Sequence, residues 1–316
     1  MQAVTIVDNH LVWERRPDPV PGAGELLVAV RAAGLNGADL LQRQGYYAPP
    51  PGVPQDIPGL ELAGEVVEVG AGVDRDWRGR PVMSLVGGGA QATLAVVPEA
   101  TTMPLPEGLG WAEAGGLPEV FATAHDALFT QAGTGPGDRV LISGAAGGVG
   151  TAGVQLAHAA GAQVVASVRA PTLHDQVRAL GADVVVLPEG VAEAGPYDVL
   201  LELVGAPGVS AVLGAGAMAN RGRIVVIGVG GGAKVEINLL AVMNARVTLR
   251  GSTLRSRSLE DRAAVIGAVE REVLPLVASG HVTVPLAATY PLADAAAAYD
   301  QFAAGGKLGK VVLVNE

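Results

Sequence analysis

The stretch DRVLISGAAGGVGTAGVQLAHAAGAQVVASVR, residues 138–169, decides how the rest of the chain is read. It opens on an apolar run ending at Ser143. A turn follows, Gly144–Ala145–Ala146–Gly147–Gly148–Val149–Gly150, and then a helical pattern to about Ala160. A second apolar run, Val164–Val168, arrives on time for a βαβ unit. In that context a glycine turn holds a dinucleotide: small residues admit the pyrophosphate to the backbone, and the helix N-terminus offers it N–H groups and positive dipole character. Ala146, Gly147, Gly148, Val149 and Gly150 are the expected contacts. Gly147 gives close approach and Gly150 close helix–strand packing. The first glycine of the usual fingerprint falls on Ala145. The bland alternative is an ordinary strand–helix turn in a chain with 45 Gly, and the punctual second strand argues against it.

The end of that second strand bears on which dinucleotide is bound. An NAD site usually places Asp or Glu there to hold the ribose 2′-hydroxyl. This chain has Ser167–Val168–Arg169. A guanidinium suits a 2′-phosphate by charge and fork geometry, so the expected cofactor is NADPH, held by Arg169 with Ser167 and Thr172. Against this, Arg supplies 18 of the 21 basic residues, and a solvated surface Arg is the plain alternative.

Working outward, apolar runs at 183–187, 198–203, 222–228 and 246–250 alternate with helical stretches, which indicates a doubly wound parallel sheet. Before about residue 115 the texture differs. GELLVAVRAAG, GLELAGEVVEVGAGV, RPVMSLV and QATLAVVP are short strands punctuated by Gly and Pro, as in a small β-barrel. After Leu259 come a helical segment to about 280, another near 292–304 and a last apolar strand, KVVLVN, free to return to the first domain. The length of 316 residues, with 49% apolar and 16% charged residues, suits two such domains.

Composition closes off other classes. The absence of Cys removes disulfides, thiolate chemistry and Cys-ligated zinc. The five His residues, 10, 125, 158, 174 and 281, stand singly. A net charge of −10 without a basic stripe argues against nucleic acid. Mean hydropathy is +0.37, yet no uninterrupted apolar run reaches membrane-spanning length. The N-terminus lacks a signal-peptide pattern, and a cytoplasmic protein is expected.

Several segments together carry a resemblance: RAAGLNGADLLQRQGYYAPPPG (31–52), GLELAGEVVEVGAGV (59–73), GLPEVFATAHDAL (116–128), SGAAGGVG (143–150), GRIVVIGVGGGAKVEINL (222–239), GSTLRSRSLEDR (251–262) and GKLGKVVLV (306–314). The chain resembles the zinc-free, zeta-crystallin-like quinone oxidoreductases of the medium-chain dehydrogenase/reductase superfamily over nearly its whole length. The resemblance implies an α/β protein with a GroES-like β-barrel catalytic domain (1–118 and 256–316) and an inserted Rossmann NADPH-binding domain (119–255). It places the active site at Asn36, Tyr47 and Thr123, and adds Gly228, Thr253 and Lys310 as cofactor contacts. Tyr47 matches the family tyrosine better than Tyr46. Read from the residues alone, Asn36-x-x-Asp39 before a helix is a capping box. Gln91, Thr93 and Leu94 stand where relatives carry aromatic and acidic residues. If they line the cleft, the pocket is wider and less aromatic than usual.

The function these readings imply is metal-free hydride transfer from NADPH to a quinone. Enoyl reduction of an α,β-unsaturated carbonyl or thioester is the runner-up, and a non-catalytic NADPH-binding scaffold is the alternative outside enzymology. The resemblance also implies a homodimer paired along the strand at 247–250.

Overall fold

The structure is a computed structural model and describes residues 1–315. The chain forms two compact units, one of residues 1–122, 254–305 and 310–315, the other of 123–253 and 306–309.

In the second unit all six strands are parallel. Their order across the sheet is Val184–Val186, Gln163–Ser167, Arg139–Ile142, Tyr197–Glu202, Met218–Val226 and Thr248–Gly251. By chain position that is third, second, first, fourth, fifth, sixth, so the direction of winding switches between Arg139–Ile142 and Tyr197–Glu202. Ligands of open α/β sheets bind at the carboxyl ends of strands at such a switch. The central strands are buried with no polar alternation, as a sheet covered on both faces requires. The fifth strand starts at Met218, four residues before the expected 222, because the chain bulges there: Met218 pairs with Tyr197 and Arg223 with Val199. Arg221, with φ of 64°, sits in that bulge, and Gly222 beside it hides the continuity in the sequence.

The first unit is organised around one long strand, Glu25–Gly34. It pairs antiparallel with Glu61–Val69, with Leu94–Pro98 and, at its far end, with Lys310–Val314. Register shifts at Leu27/Val28 and Val30/Ala32 let it serve these partners in turn. Leu26, Val28 and Val30 point into a core with Leu62, Val66 and Val97. The last strand therefore does return to the first unit. There it also pairs in parallel with Leu286–Pro291, a strand the sequence pattern did not announce.

The N-terminal hairpin, Gln2–Val7 with His10–Arg15, was likewise not expected. Its two-residue turn is Asp8–Asn9 with φ of 49° and 64°, the left-handed pair of a type I′ turn. The helical segment expected from 259 to 280 divides into Leu259–Glu272 and Leu274–Ala278. Pro275 lacks the N–H needed to continue the first helix, and it is accommodated in the first turn of the second.

Candidate active site

In the first unit the polar centre is Glu61, the first residue of its strand and fully buried. Its Oε1 accepts from Lys310 Nζ at 2.6 Å and from Asn36 Nδ2 at 2.9 Å. Its Oε2 accepts from the backbone N–H of Glu119 at 2.8 Å, at the start of the helix Pro118–His125. The carboxylate fits because Gly34 faces it without a side chain: a Cβ there would lie 2.3 Å from Oε1.

Lys310, 2% exposed, also donates to Leu35 O at 2.6 Å and to Asn36 Oδ1 at 2.8 Å. An ammonium has three donors, and all three are taken. Lys310 is expected from the resemblance to contact the cofactor; in the structure its charge is paired with Glu61. Asn36, 8% exposed, was expected to reach substrate or nicotinamide, yet its amide bridges the two buried charges. The capping reading of the same segment has its counterpart in Asp39, whose Oδ2 accepts from Asn36 N at 2.8 Å and whose Oδ1 accepts from Gly59 N at 3.1 Å. Burial pushes the Asp39 carboxyl up to about 6, against the pull of those N–H groups and of Lys310 and Arg255.

Tyr46 is 80% exposed, whereas Tyr47 is half-buried. Among the described residues the Tyr47 hydroxyl has no hydrogen-bond partner, while the ring lies under the Arg255 guanidinium, 5.1 Å from its centroid. Burial raises the phenol pKa above its ordinary value, the Glu119 charge adds to this, and Arg255 opposes it. Tyr47 therefore keeps its proton at neutral pH and presents a hydrogen-bond donor. Gln91 does not line a cleft. It is fully buried, and its Oε1 accepts from the Tyr299 hydroxyl at 2.9 Å. Thr93 Oγ1 accepts from Gln2 N at 3.1 Å and so fastens the N-terminal hairpin.

In the second unit, the glycine turn takes its tight bend at Gly144, with φ of 60°, one residue before the position assigned from the fingerprint. Ala145 is buried, its N–H donating to Ser167 O at 3.1 Å. A Cβ on Gly150 would lie 2.4 Å from Gly144 O, so only glycine lets the helix Gly148–Ala159 approach the turn this closely. Gly147, the helix N-cap, is exposed and has no side chain to cap the first turn. A helix N-terminus left this way suits an anionic pyrophosphate.

Ser167 is buried at the end of its strand. Arg169 and Thr172 are exposed just beyond it. Among the described residues the Arg169 guanidinium makes no ion pair or hydrogen bond. Gly228 packs against the Leu203 backbone, where a Cβ would come within 2.1 Å of Leu203 O. Thr123 is buried and Thr253 exposed.

Sequence reasoning missed Glu202 and Ser143. Glu202 Oε1 accepts from Ser143 Oγ at 2.6 Å and from the N–H groups of Val204 and Gly205 at 2.6 and 2.7 Å, which ties the ends of the two switch-point strands together. It missed Glu61 and Arg255 as well. A Glu between leucines in an apolar strand was the one available hint for Glu61.

Residues 22–107 match the alcohol dehydrogenase GroES-like domain, and 161–313 match the zinc-binding dehydrogenase family. A rat quinone oxidoreductase is 31% identical over 309 residues, covering 94% of this chain and 91% of that one. The chain belongs to the medium-chain dehydrogenase/reductase superfamily. Its fold is that of the superfamily, a GroES-like domain with a Rossmann-type parallel sheet. A mycobacterial structure described as complexed with NADPH matches with TM-score 0.86 and 26% identity over all of both chains. An NAD-dependent alcohol dehydrogenase matches with TM-score 0.86 and 27% identity, also over all of both. This dehydrogenase/reductase is an oxidoreductase, and its relatives and its glycine turn support a nicotinamide cofactor. The zinc in the family's description finds no donor set here: the chain has no Cys, and among the described residues no three His, Asp or Glu side chains cluster as ligands. No helix among them is long and apolar enough to cross a membrane.

The Glu61–Lys310 pair generates a stability prediction. Removing one member of a buried pair strands the other charge, at a cost of about 3–5 kcal/mol. Lys310→Met should lower stability by about that amount in denaturant unfolding. The double variant Lys310→Met/Glu61→Gln should recover part of it, because the stranded carboxylate is gone.

Proposed function

We propose that the chain is an NADPH-dependent quinone reductase that works without zinc. The observation that carries the cofactor choice is Arg169: exposed, without an ion pair or hydrogen bond among the described residues, and just past the end of the second strand, where an NAD site has an acid. When bound, the reduced nicotinamide supplies a hydride. Ala146–Gly150 hold its pyrophosphate, Arg169 with Ser167 and Thr172 the 2′-phosphate, and Gly228 and Thr253 further parts of the dinucleotide, with Thr123 on the nicotinamide side.

The substrate reading rests on Tyr47. A phenol that keeps its proton at neutral pH can donate a hydrogen bond to a carbonyl oxygen without surrendering that proton. That suits a quinone, which accepts hydride readily and takes its remaining proton from solvent to become a hydroquinone. The quinone oxidoreductase relative supports the same reading. Asn36 contributes by holding the Glu61–Lys310 pair in place. We read the assembly as a homodimer paired along Thr248–Gly251, an exposed strand at the sheet edge that stays open to another strand unless covered.

Two variants test this. Losing a charge-assisted contact costs about 1.5–3 kcal/mol, or roughly ten- to hundredfold in affinity. In calorimetry Arg169→Ala should weaken NADPH by that factor and leave NADH nearly unchanged. Equal weakening of both would remove the 2′-phosphate assignment.

Tyr47→Phe removes one neutral hydrogen bond and should raise KM for a quinone by an amount equivalent to about 0.5–1.5 kcal/mol, with kcat nearly unchanged. A collapse of kcat by about 10²–10⁴-fold would mark Tyr47 as a positioned acid and move the assignment to enoyl reduction.

A further inference from the structure

Tyr47 lies in a segment with no helix or strand, running from the end of the helix Gly37–Arg43 to the strand that begins at Glu61. Three consecutive prolines follow it, Pro49, Pro50 and Pro51, so the chain cannot form a ladder of its own there. Its internal bonds are few. Gln55 Nε2 donates to Pro50 O at 3.1 Å and to Val53 O at 2.8 Å. Beneath it runs the bare turn Gly87–Gly88–Gly89, where a Cβ on Gly88 would meet Val53 and Pro54 at 3.3 Å.

One side chain joins these pieces. Arg255 is 6% exposed. Its Nε donates to Gly87 O at 2.8 Å, its Nη1 to Tyr47 O at 3.1 Å and its Nη2 to Gln42 Oε1 at 2.6 Å. The same guanidinium sits over the Tyr47 ring as a cation–π contact. It therefore grips Tyr47 at both backbone and ring, and anchors it to the glycine turn and to the first helix. Burying a cation is costly, and the carboxylates of Asp39 and Glu119 offset that cost electrostatically. The need here is for a planar fork reaching three acceptors in different directions with its charge placed over a ring. Lysine, a point charge on a flexible stem, does not meet it.

We infer that Arg255 is a positioning residue for substrate binding: it fixes the direction in which the Tyr47 hydroxyl points, and through that hydroxyl it sets the affinity for the substrate. The inference rests on the reading of Tyr47 as the donor to the substrate oxygen.

A double-variant cycle tests it, with KM and kcat for a quinone measured at saturating NADPH for the wild type, Arg255→Lys, Tyr47→Phe and the double variant. Each single variant should raise KM by about two- to twelvefold, the loss of one neutral hydrogen bond, with kcat within about twofold. The double variant should be no worse than Tyr47→Phe alone, because a misdirected hydroxyl and a missing one are equivalent. If Arg255→Lys raises KM by the same factor with and without the hydroxyl, Arg255 acts on the fold at large and the inference is overturned. An unchanged KM in Arg255→Lys also overturns it. An unchanged KM in Tyr47→Phe alone brings down the reading of Tyr47 and the inference with it, and that result is visible without any Arg255 variant. If Arg255→Lys does not fold, Gln42→Glu keeps an acceptor for Nη2 but withdraws the Nε2 donor to Gln55 O at 3.4 Å, while Gln42→Met withdraws both. A KM rise seen only in Gln42→Met and absent without the Tyr47 hydroxyl supports the inference, and one equal in both variants overturns it.

Discussion

A buried carboxylate with nowhere to go but its partners organises the first unit. Glu61 has lost its water entirely, and an unpaired charge in that position would cost several kcal/mol. Each group that relieves this cost is thereby fixed in place. Lys310 brings the last strand of the chain back to the first unit. Asn36 is held at the start of the first helix, and the N–H of Glu119 is held at the start of the helix Pro118–His125. Asn36 and Lys310 are both read in the sequence as ligand contacts, and both belong to this internal network.

The second unit buries a carboxylate of its own, Glu202. It is buried at the end of a strand, but it takes hydroxyl and backbone donors where Glu61 takes a cation. The result is a stiffened edge at the switch point. The adjacent helix N-terminus, at the turn Gly144–Gly150, carries no side-chain cap. Glu202 Oε1 takes its donors inside the protein, and the pyrophosphate reading depends on donors left unsatisfied beside it.

What the sequence revealed follows the range of the forces involved. The glycine turn, the alternation of strands and helices, and the cationic end at Arg169 depend on residues within a few positions of one another, and each is legible as spacing. The hairpin at Asp8–Asn9 belongs with them, since its turn chemistry is local and was passed over. The Lys310 and Arg255 contacts are of another kind. Lys310 meets Glu61 across 249 positions, and Arg255 meets Gly87, Tyr47 and Gln42 across 168 to 213. No periodicity reports such a pairing, and the resemblance alone makes Lys310 in GKLGKVV a cofactor contact. Gln91 misled for a related reason. Its substitution for the usual residue looked like a change in the pocket, when its partner is a buried tyrosine 208 positions away.

The function proposed for this chain depends on a cofactor that supplies hydride and a protein that aims one phenol at an acceptor needing little activation. NADPH oxidation followed at 340 nm against a panel of quinones and a matched panel of enals and enoyl thioesters tests this most directly. The account predicts turnover on quinones, with NADPH preferred over NADH and the enoyl panel far slower. Turnover confined to the enoyl panel would contradict it, as would tight NADPH binding with turnover on neither.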